Sequence, residues 1–194
     1  IYFLLRTCFA ADHRGSGGKN QMEILKIEDL TFTYPQCNSP AVKNVSFDVN
    51  EGEFVVVCGA TGSGKSTLLR LCKREIAPLG EKSGCIKYKN TPIEELSAKD
   101  CASSIGFVMQ KPEQQLVTDK VWHELAFGLE NMGLSQNVIA RRVAEMASYF
   151  GIEHWFGKSV SELSGGQKQL LNLASVMVMD PEILILDEPT AQLD

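Results

Sequence analysis

Apolar and polar residues fall into short blocks whose period changes along the chain. Ile24-Leu25-Lys26-Ile27-Glu28-Asp29-Leu30-Thr31-Phe32 partly alternates and predicts a strand. Tyr34-Pro35-Gln36-Cys37-Asn38-Ser39-Pro40 breaks the pattern as a loop. Val45–Val49 alternates again and runs into a turn at Asn50-Glu51-Gly52, giving an antiparallel, β-rich opening. The apolar run Phe54–Cys58 predicts a further, buried strand, and Lys65–Cys72 a helix. Gly84–Tyr88 reads as a short strand, Thr91–Leu96 as a turn into a short helix, and Ile105–Met109 as a buried strand ending at Gln110. Residues 118–160 are expected to be mainly helical. Val121, Leu125 and Leu129 recur at i, i+4, i+8, and Ser135 can cap a second helix carrying Ile139, Val143, Met146 and Phe150. A third helix is predicted from Ser164 to Met179, stopped by Pro181. Ile183-Leu184-Ile185-Leu186 is wholly apolar, as in strands buried on both faces of a parallel sheet.

Composition changes this picture little. The 194 residues suit one large domain, or a domain with an appendage; 44% are hydrophobic and 22% charged, as in ordinary globular proteins. The net charge of -5 gives no general basic surface for nucleic acid, and no nucleic-acid partner is expected. The six cysteines form no C-x-x-C pair, so reduced thiols in a cytoplasmic setting are expected, with Cys58 and Cys72 acting as small hydrophobes. No apolar run reaches the roughly 20 residues that span a bilayer. Residues 1–21 precede the first Met, Met22, and include a polar, glycine-rich stretch; they read as a disordered or artefactual tail, with the patterned domain over 22–194.

Three stretches carry candidate chemistry. Gly59-Ala60-Thr61-Gly62-Ser63-Gly64-Lys65-Ser66-Thr67 lies between a predicted strand and a predicted helix and fits G-x-x-x-x-G-K-[ST], the phosphate-binding P-loop. Its glycines let backbone N–H groups wrap a phosphate chain. Lys65 can reach the β- and γ-phosphates, and the Ser66 hydroxyl can ligate Mg²⁺. The second stretch places Asp187 and Glu188 at the C-terminal end of an apolar strand, the edge where open α/β sheets bind ligands. Asp187 is the candidate Mg²⁺ carboxylate and Glu188 the candidate general base for an attacking water. The third is Leu163-Ser164-Gly165-Gly166-Gln167, a second anion-compatible helix start that one nucleotide does not account for.

P-loop, Gln110, Leu163–Gln167 and Ile183–Glu188, in this order and spacing, resemble the ATP-binding cassette (ABC) ATPases over residues 24–194. The resemblance implies an α/β P-loop NTPase with a parallel core sheet, an antiparallel β subdomain and a helical subdomain inserted at about 111–160. It implies ATP and Mg²⁺ as ligands, and head-to-tail pairing with a second cassette, identical or not. Ser164, Gly165, Gly166 and Gln167 would then form the trans signature, with Ser164 and Gly166 contacting the γ-phosphate held by Lys65 of the other cassette. Tyr34 falls where the family stacks an aromatic on adenine. Gln110 corresponds to the Q-loop residue that senses Mg²⁺ or water, and Asp194 to the D-loop residue at the pair's interface. Gln110-Lys111-Pro112-Glu113-Gln114-Gln115-Leu116 with Ala126–Asn131 further resembles the ATPases of energy-coupling factor and cobalt-type importers. That implies an ATPase at the cytoplasmic face of the membrane. It would dock transmembrane subunits through residues 118–160 and power uptake of a vitamin or metal ion.

Two departures qualify the resemblance. Leu170 stands where many members carry Arg. The family's switch histidine follows the D-loop, whereas His13, His123 and His154 all precede Asp187. The expectation is therefore a C-terminally truncated cassette that binds nucleotide more readily than it turns it over. A soluble, non-transport ABC ATPase and a nucleotide-binding module without turnover are the alternatives.

Overall fold

The computed structural model describes residues 2–5 and 22–189. In chain order these form strands β1 (Tyr2–Leu5), β2 (Glu23–Thr33), β3 (Val42–Asn50) and β4 (Val55–Val57), then helix α1 (Lys65–Leu71). Strands β5 (Glu81–Tyr88) and β6 (Thr91–Pro92), helix α2 (Ala98–Ser104) and strand β7 (Ile105–Val108) follow. Helices α3 (Val121–Asn131), α4 (Gln136–Phe150) and α5 (Gly165–Met177) precede the last described strand, β8 (Ile183–Leu186).

Two four-stranded sheets result, ordered β3-β2-β5-β6 and β4-β1-β8-β7. The first is antiparallel throughout. Its strand β2 alternates only in part because the register shifts between Ile27 and Leu30, with Asp29 at φ 48°. Gly84 of β5 faces that irregularity at φ 84°, where a Cβ would lie 2.5 Å from the carbonyl oxygens of Glu28 and Asp29. A residue without a side chain is required there.

In the second sheet β7 and β8 are parallel, the pair expected at the core, and β1 runs antiparallel to both β4 and β8. Tyr2–Leu5 thus departs from the tail reading of residues 1–21; four consecutive apolar residues suit a strand with neighbours on both sides. Ile1 and residues 6–21 lie outside the described residues. A second departure is β4. Among the described residues it pairs only with β1; Phe54 and Val56 are exposed, and Cys58 is exposed rather than buried. Cys72 is buried as expected. The helix expected near Thr91–Leu96 begins only at Ala98, because Ser97 caps it by accepting the Asp100 N–H at 3.0 Å.

Two main cores divide the chain. One packs α1 and α2 with the antiparallel sheet, β7 and β8, through Leu25, Ile27, Phe32, Leu69, Ile86 and Ile105. The other joins α3, α4 and α5 through Leu125, Leu129, Val143 and Leu171, so it extends past the expected limits of 111–160 into α5. Each wholly buried Leu contributes about 1.5–3 kcal/mol relative to exposure. A smaller cluster of Val108, Val176, Leu184 and Leu186 seats α5 on the β7–β8 pair. Gly106 permits that approach, since a Cβ there would come within 2.7 Å of Val176 and 2.9 Å of Pro181. Polar clamps secure the connections. The Lys73 ammonium donates to the carbonyls of Cys101 and Ile105, where α2 ends and β7 begins. Burial pushes the Lys73 pKa down, opposed chiefly by the Glu75 carboxylate. The buried Glu124 carboxylate accepts the N–H groups of Val117 (3.1 Å) and Thr118 (2.8 Å), fixing the approach to α3.

Candidate functional site

Between β4 and α1 the backbone turns through Gly62 (φ 79°) and Gly64 (φ 90°), conformations that glycine adopts without steric penalty. Gly64 also meets a packing limit: a Cβ there would lie 2.0 Å from the Ala41 carbonyl oxygen. The Ala41 segment is itself pinned, because its N–H donates to Phe32 O at 2.8 Å. The loop closes with Ser63 N–H on Ala60 O (3.2 Å), and α1 opens with Leu68 N–H on Gly64 O (2.8 Å). Lys65, only 8% exposed, curls into the loop and donates to the carbonyls of Gly59 (2.9 Å) and Ala60 (2.7 Å). An ammonium held inside a curved run of backbone is a phosphate-binding arrangement.

The next residue ties the loop to a distant motif. Ser66 Oγ donates to Asp187 Oδ1 at 3.0 Å, across 121 positions of sequence. Asp187 sits just past β8, its N–H donating to Val108 O at 3.0 Å in continuation of the parallel pairing. It is 1% exposed. Burial pushes its carboxyl pKa upward; the Ser66 hydrogen bond and the Arg70 and Lys65 charges oppose that rise, and the Glu188 carboxylate adds to it. Ser66 and Asp187 together offer hard oxygen donors on adjacent elements. That suits Mg²⁺, which takes few protein oxygens and keeps its waters.

Glu188 adopts φ 47°, a sparsely populated conformation for a residue with a side chain. Its Oε2 accepts a hydrogen bond from the Gln110 amide. Gln110 lies just past β7, so the parallel β7–β8 pair delivers both side chains to the same C-terminal sheet edge. Lys65, Ser66, Gln110, Asp187 and Glu188 are therefore one constellation.

Tyr34 joins the neighbourhood differently. Its hydroxyl is 3.0 Å from Thr67 Oγ1, and its ring meets Phe32 edge-on with centroids 5.0 Å apart. Ser164, Gly165, Gly166 and Gln167 stand at the start of α5, in the layer held by the helical core rather than with the P-loop. Ser164 Oγ accepts the Gln167 N–H (3.3 Å) while Gln167 Oε1 accepts the Ser164 N–H (2.9 Å), a closed capping box. Ser164 and Gly165 are exposed. Asp194 lies outside the described residues. Two contributors escape the motif-based expectations. Ala41 acts through its backbone, which no side-chain pattern announces. Arg70 acts through its charge beside Asp187, and its place one turn after Ser66 on α1 is the signal that could have found it.

The profile of the ABC transporter family matches residues 42–191. A putative ABC transporter ATP-binding protein of Bacillus thuringiensis is 48% identical over 169 residues, covering 87% of this chain and 31% of the relative. The energy-coupling factor transporter ATP-binding protein EcfA2 of Clostridium acetobutylicum is 41% identical, with 88% of this chain and 61% of EcfA2 covered. The chain thus spans about a third of the first relative and less than two thirds of the second. Among solved structures, cbiO1 of Clostridium perfringens, part of the ABC transporter complex cbiONQ, superposes with TM-score 0.75 at 38% identity over 90% of this chain and 68% of its own. The ATP-binding cassette MJ0796, solved as a dimer with ADP and Pi, gives TM-score 0.74 at 27% identity over 88% of this chain and 76% of its own.

Proposed function

The chain belongs to the ABC transporter family, and on that premise we propose that it binds and hydrolyses ATP as one cassette of a paired importer ATPase. The observation that carries this reading is the Ser66–Asp187 hydrogen bond, which closes the P-loop onto the β8 edge beside Glu188 and Gln110. The amides of Gly59–Thr67 and the Lys65 ammonium bind the phosphates, and Tyr34 borders the adenine side. Ser66 and Asp187, with Gln110 nearby, would hold Mg²⁺, which would supply charge neutralisation on the phosphate chain. The Glu188 carboxylate orients the attacking water and takes its proton. The Gln110 amide, donating to Glu188, fixes that carboxylate's direction.

Ser164, Gly165 and Gly166 serve the γ-phosphate of a second cassette, and Asp194 belongs to the same interface. The capping box supports this role. It uses Ser164 Oγ as an acceptor, so the hydroxyl proton remains available to a phosphate oxygen. Among the described residues no helix is long and apolar enough to cross a membrane. The proposed location is peripheral, at the cytoplasmic face, with transmembrane subunits seated on the α3–α4 region. Trp122 and Phe127 are each 43% exposed there. The proposed solute is a vitamin or metal ion, a reading that rests on the resemblance of Gln110–Leu116 and Ala126–Asn131 to energy-coupling factor and cobalt-type importer ATPases.

The test is ATP turnover by the full-length protein, assembled with its membrane partners, against its Glu188→Gln variant. The expected result is a loss of about 100-fold or more with retained ATP binding and a trapped dimer. Unchanged turnover would overturn the assignment of Glu188. Purification with DNA or ribosomes instead of membrane subunits would overturn the transport reading.

A further inference from the structure

We propose that Gln115 and Asn172 form an amide relay that positions Gln110 and locks it to α5, the helix opened by Ser164. Among the described residues strand β7 is the outermost of its sheet, and the backbone groups on its outer edge have no strand partner. Gln115 takes that place with a single side chain. Its Nε2 donates to Phe107 O at 2.7 Å, and its Oε1 accepts the Met109 N–H at 2.9 Å. One primary amide thus pairs with residues two apart on the strand, as a neighbouring strand's peptide groups would. Met109 is the residue before Gln110, so the grip ends one peptide from the side chain that meets Glu188.

The same Gln115 Oε1 accepts a second hydrogen bond, from Asn172 Nδ2 at 3.0 Å. Asn172 is fully buried in α5, eight positions after Ser164. Among the described residues its Oδ1, and both amide atoms of the buried Gln169 one turn earlier, have no hydrogen-bond partner. Leaving buried amide atoms unpaired destabilises the fold, and an apolar residue would pack better if packing were the only requirement. The polar side chain at 172 is therefore explained by what it holds. Through it, a displacement of α5 moves Gln115, the Met109–Gln110 backbone and the carboxylate partner at Glu188. Occupancy at the start of α5 is thereby transmitted to the hydrolytic side chains of the same chain.

The proposal rests on the ATPase reading above, and its test separates the two. Asn172→Leu, Gln115→Leu and the double variant are made in the full-length protein with its membrane partners, alongside Glu188→Gln. The relay predicts kcat lower by about tenfold in each single variant, with the KM for ATP within about twofold. The double variant is expected to be no worse than the poorer single, because both substitutions break one chain. Equal kcat in all variants, or losses that multiply in the double variant, overturn the relay. A second readout needs no turnover: hydrogen exchange of the Met109 amide is expected to quicken at least about tenfold in Asn172→Leu. Unchanged exchange overturns the proposal whatever the ATPase result. Retained turnover in Glu188→Gln counts against the catalytic reading alone.

Discussion

Gly64→Ala and Gly62→Ala form a matched pair that separates backbone preference from packing in the P-loop. Both residues lie at positive φ, 90° and 79°, where an alanine costs about 1–2 kcal/mol. At Gly62 that is the whole cost, because among the described residues a Cβ there has no neighbour within 4 Å. At Gly64 the Cβ would lie 2.0 Å from Ala41 O and 3.0 Å from Ala41 C, against a backbone held by the 2.8 Å hydrogen bond to Phe32 O. Relieving such a contact adds about 1–3 kcal/mol, the range seen for overpacked cores. The sums are about 1–2 and about 2–5 kcal/mol, and each 1.4 kcal/mol is tenfold in affinity.

Calorimetric titration with Mg-ATP should therefore give a dissociation constant raised about 5- to 30-fold in Gly62→Ala. In Gly64→Ala the rise should reach about 30-fold to a few thousandfold. Thermal unfolding in the same samples shows where the strain goes. A near-normal Tm with weak binding means the loop has moved outward, carrying the Lys65 ammonium away from Gly59 and Ala60. Equal dissociation constants for the two variants, or binding by Gly64→Ala within fivefold of wild type, would refute the argument that the Ala41 carbonyl sets the loop's position.

Four other outcomes follow from the same geometry. Asp187→Asn keeps an acceptor for Ser66 and removes a buried charge; it should raise Tm without ligand while abolishing the stabilisation by Mg-ATP. The sign follows from its raised pKa. Between the ordinary value of 3.8 and the higher folded value, the native state binds the proton more strongly than the unfolded chain. Stability therefore falls as pH rises through the folded pKa, and the Asn variant's advantage in pH-dependent melting should widen in that direction. Gly106→Val should drive β7 from α5 and lower stability by about 1–3 kcal/mol, roughly 2–4 °C in Tm for each kcal/mol. Glu124→Ala strands two N–H donors at Val117 and Thr118 and should cost about 2–4 kcal/mol by denaturant unfolding. Burial pushes the Cys72 thiol up to about 12, so maleimide at neutral pH should label Cys37 and Cys58 while Cys72 reacts only on unfolding.

The elements most legible in the sequence were those with one dominant signal. Val121, Leu125 and Leu129 recur at helical spacing and all three are buried along α3, and Ile183–Leu186 is a four-residue apolar run buried at every position. Legibility failed where neighbours decided the outcome. Phe54–Cys58 is as apolar as β8, yet among the described residues β4 lies at a sheet edge, with Val56 and Cys58 exposed; edge or centre is a property of pairing. The Tyr2–Leu5 strand could not be assigned for the same reason, since its partners are Val55–Val57 and Leu184–Leu186, distant in sequence.

The site divides along a similar line. Lys65, Ser66, Asp187 and Glu188 could be named because phosphate and Mg²⁺ chemistry demands particular residue types beside a strand end; the Ser66–Asp187 hydrogen bond joins α1 to the end of β8, and the parallel β7–β8 pairing adds Gln110 beside Glu188. What holds them carries no such demand. Ala41 contributes a carbonyl that any residue could offer, and its importance appears only in the 2.0 Å that separates it from a Cβ at Gly64. Asn172 is an amide in an apolar helix, which in sequence reads as an interruption of periodicity. Its meaning comes from a glutamine 57 positions away, one that completes a strand edge with its own side chain. Groups that touch a ligand are constrained by the ligand's chemistry and leave motifs. Groups that fix those groups in place are constrained only by local geometry, so the structure rather than the sequence brings them to light.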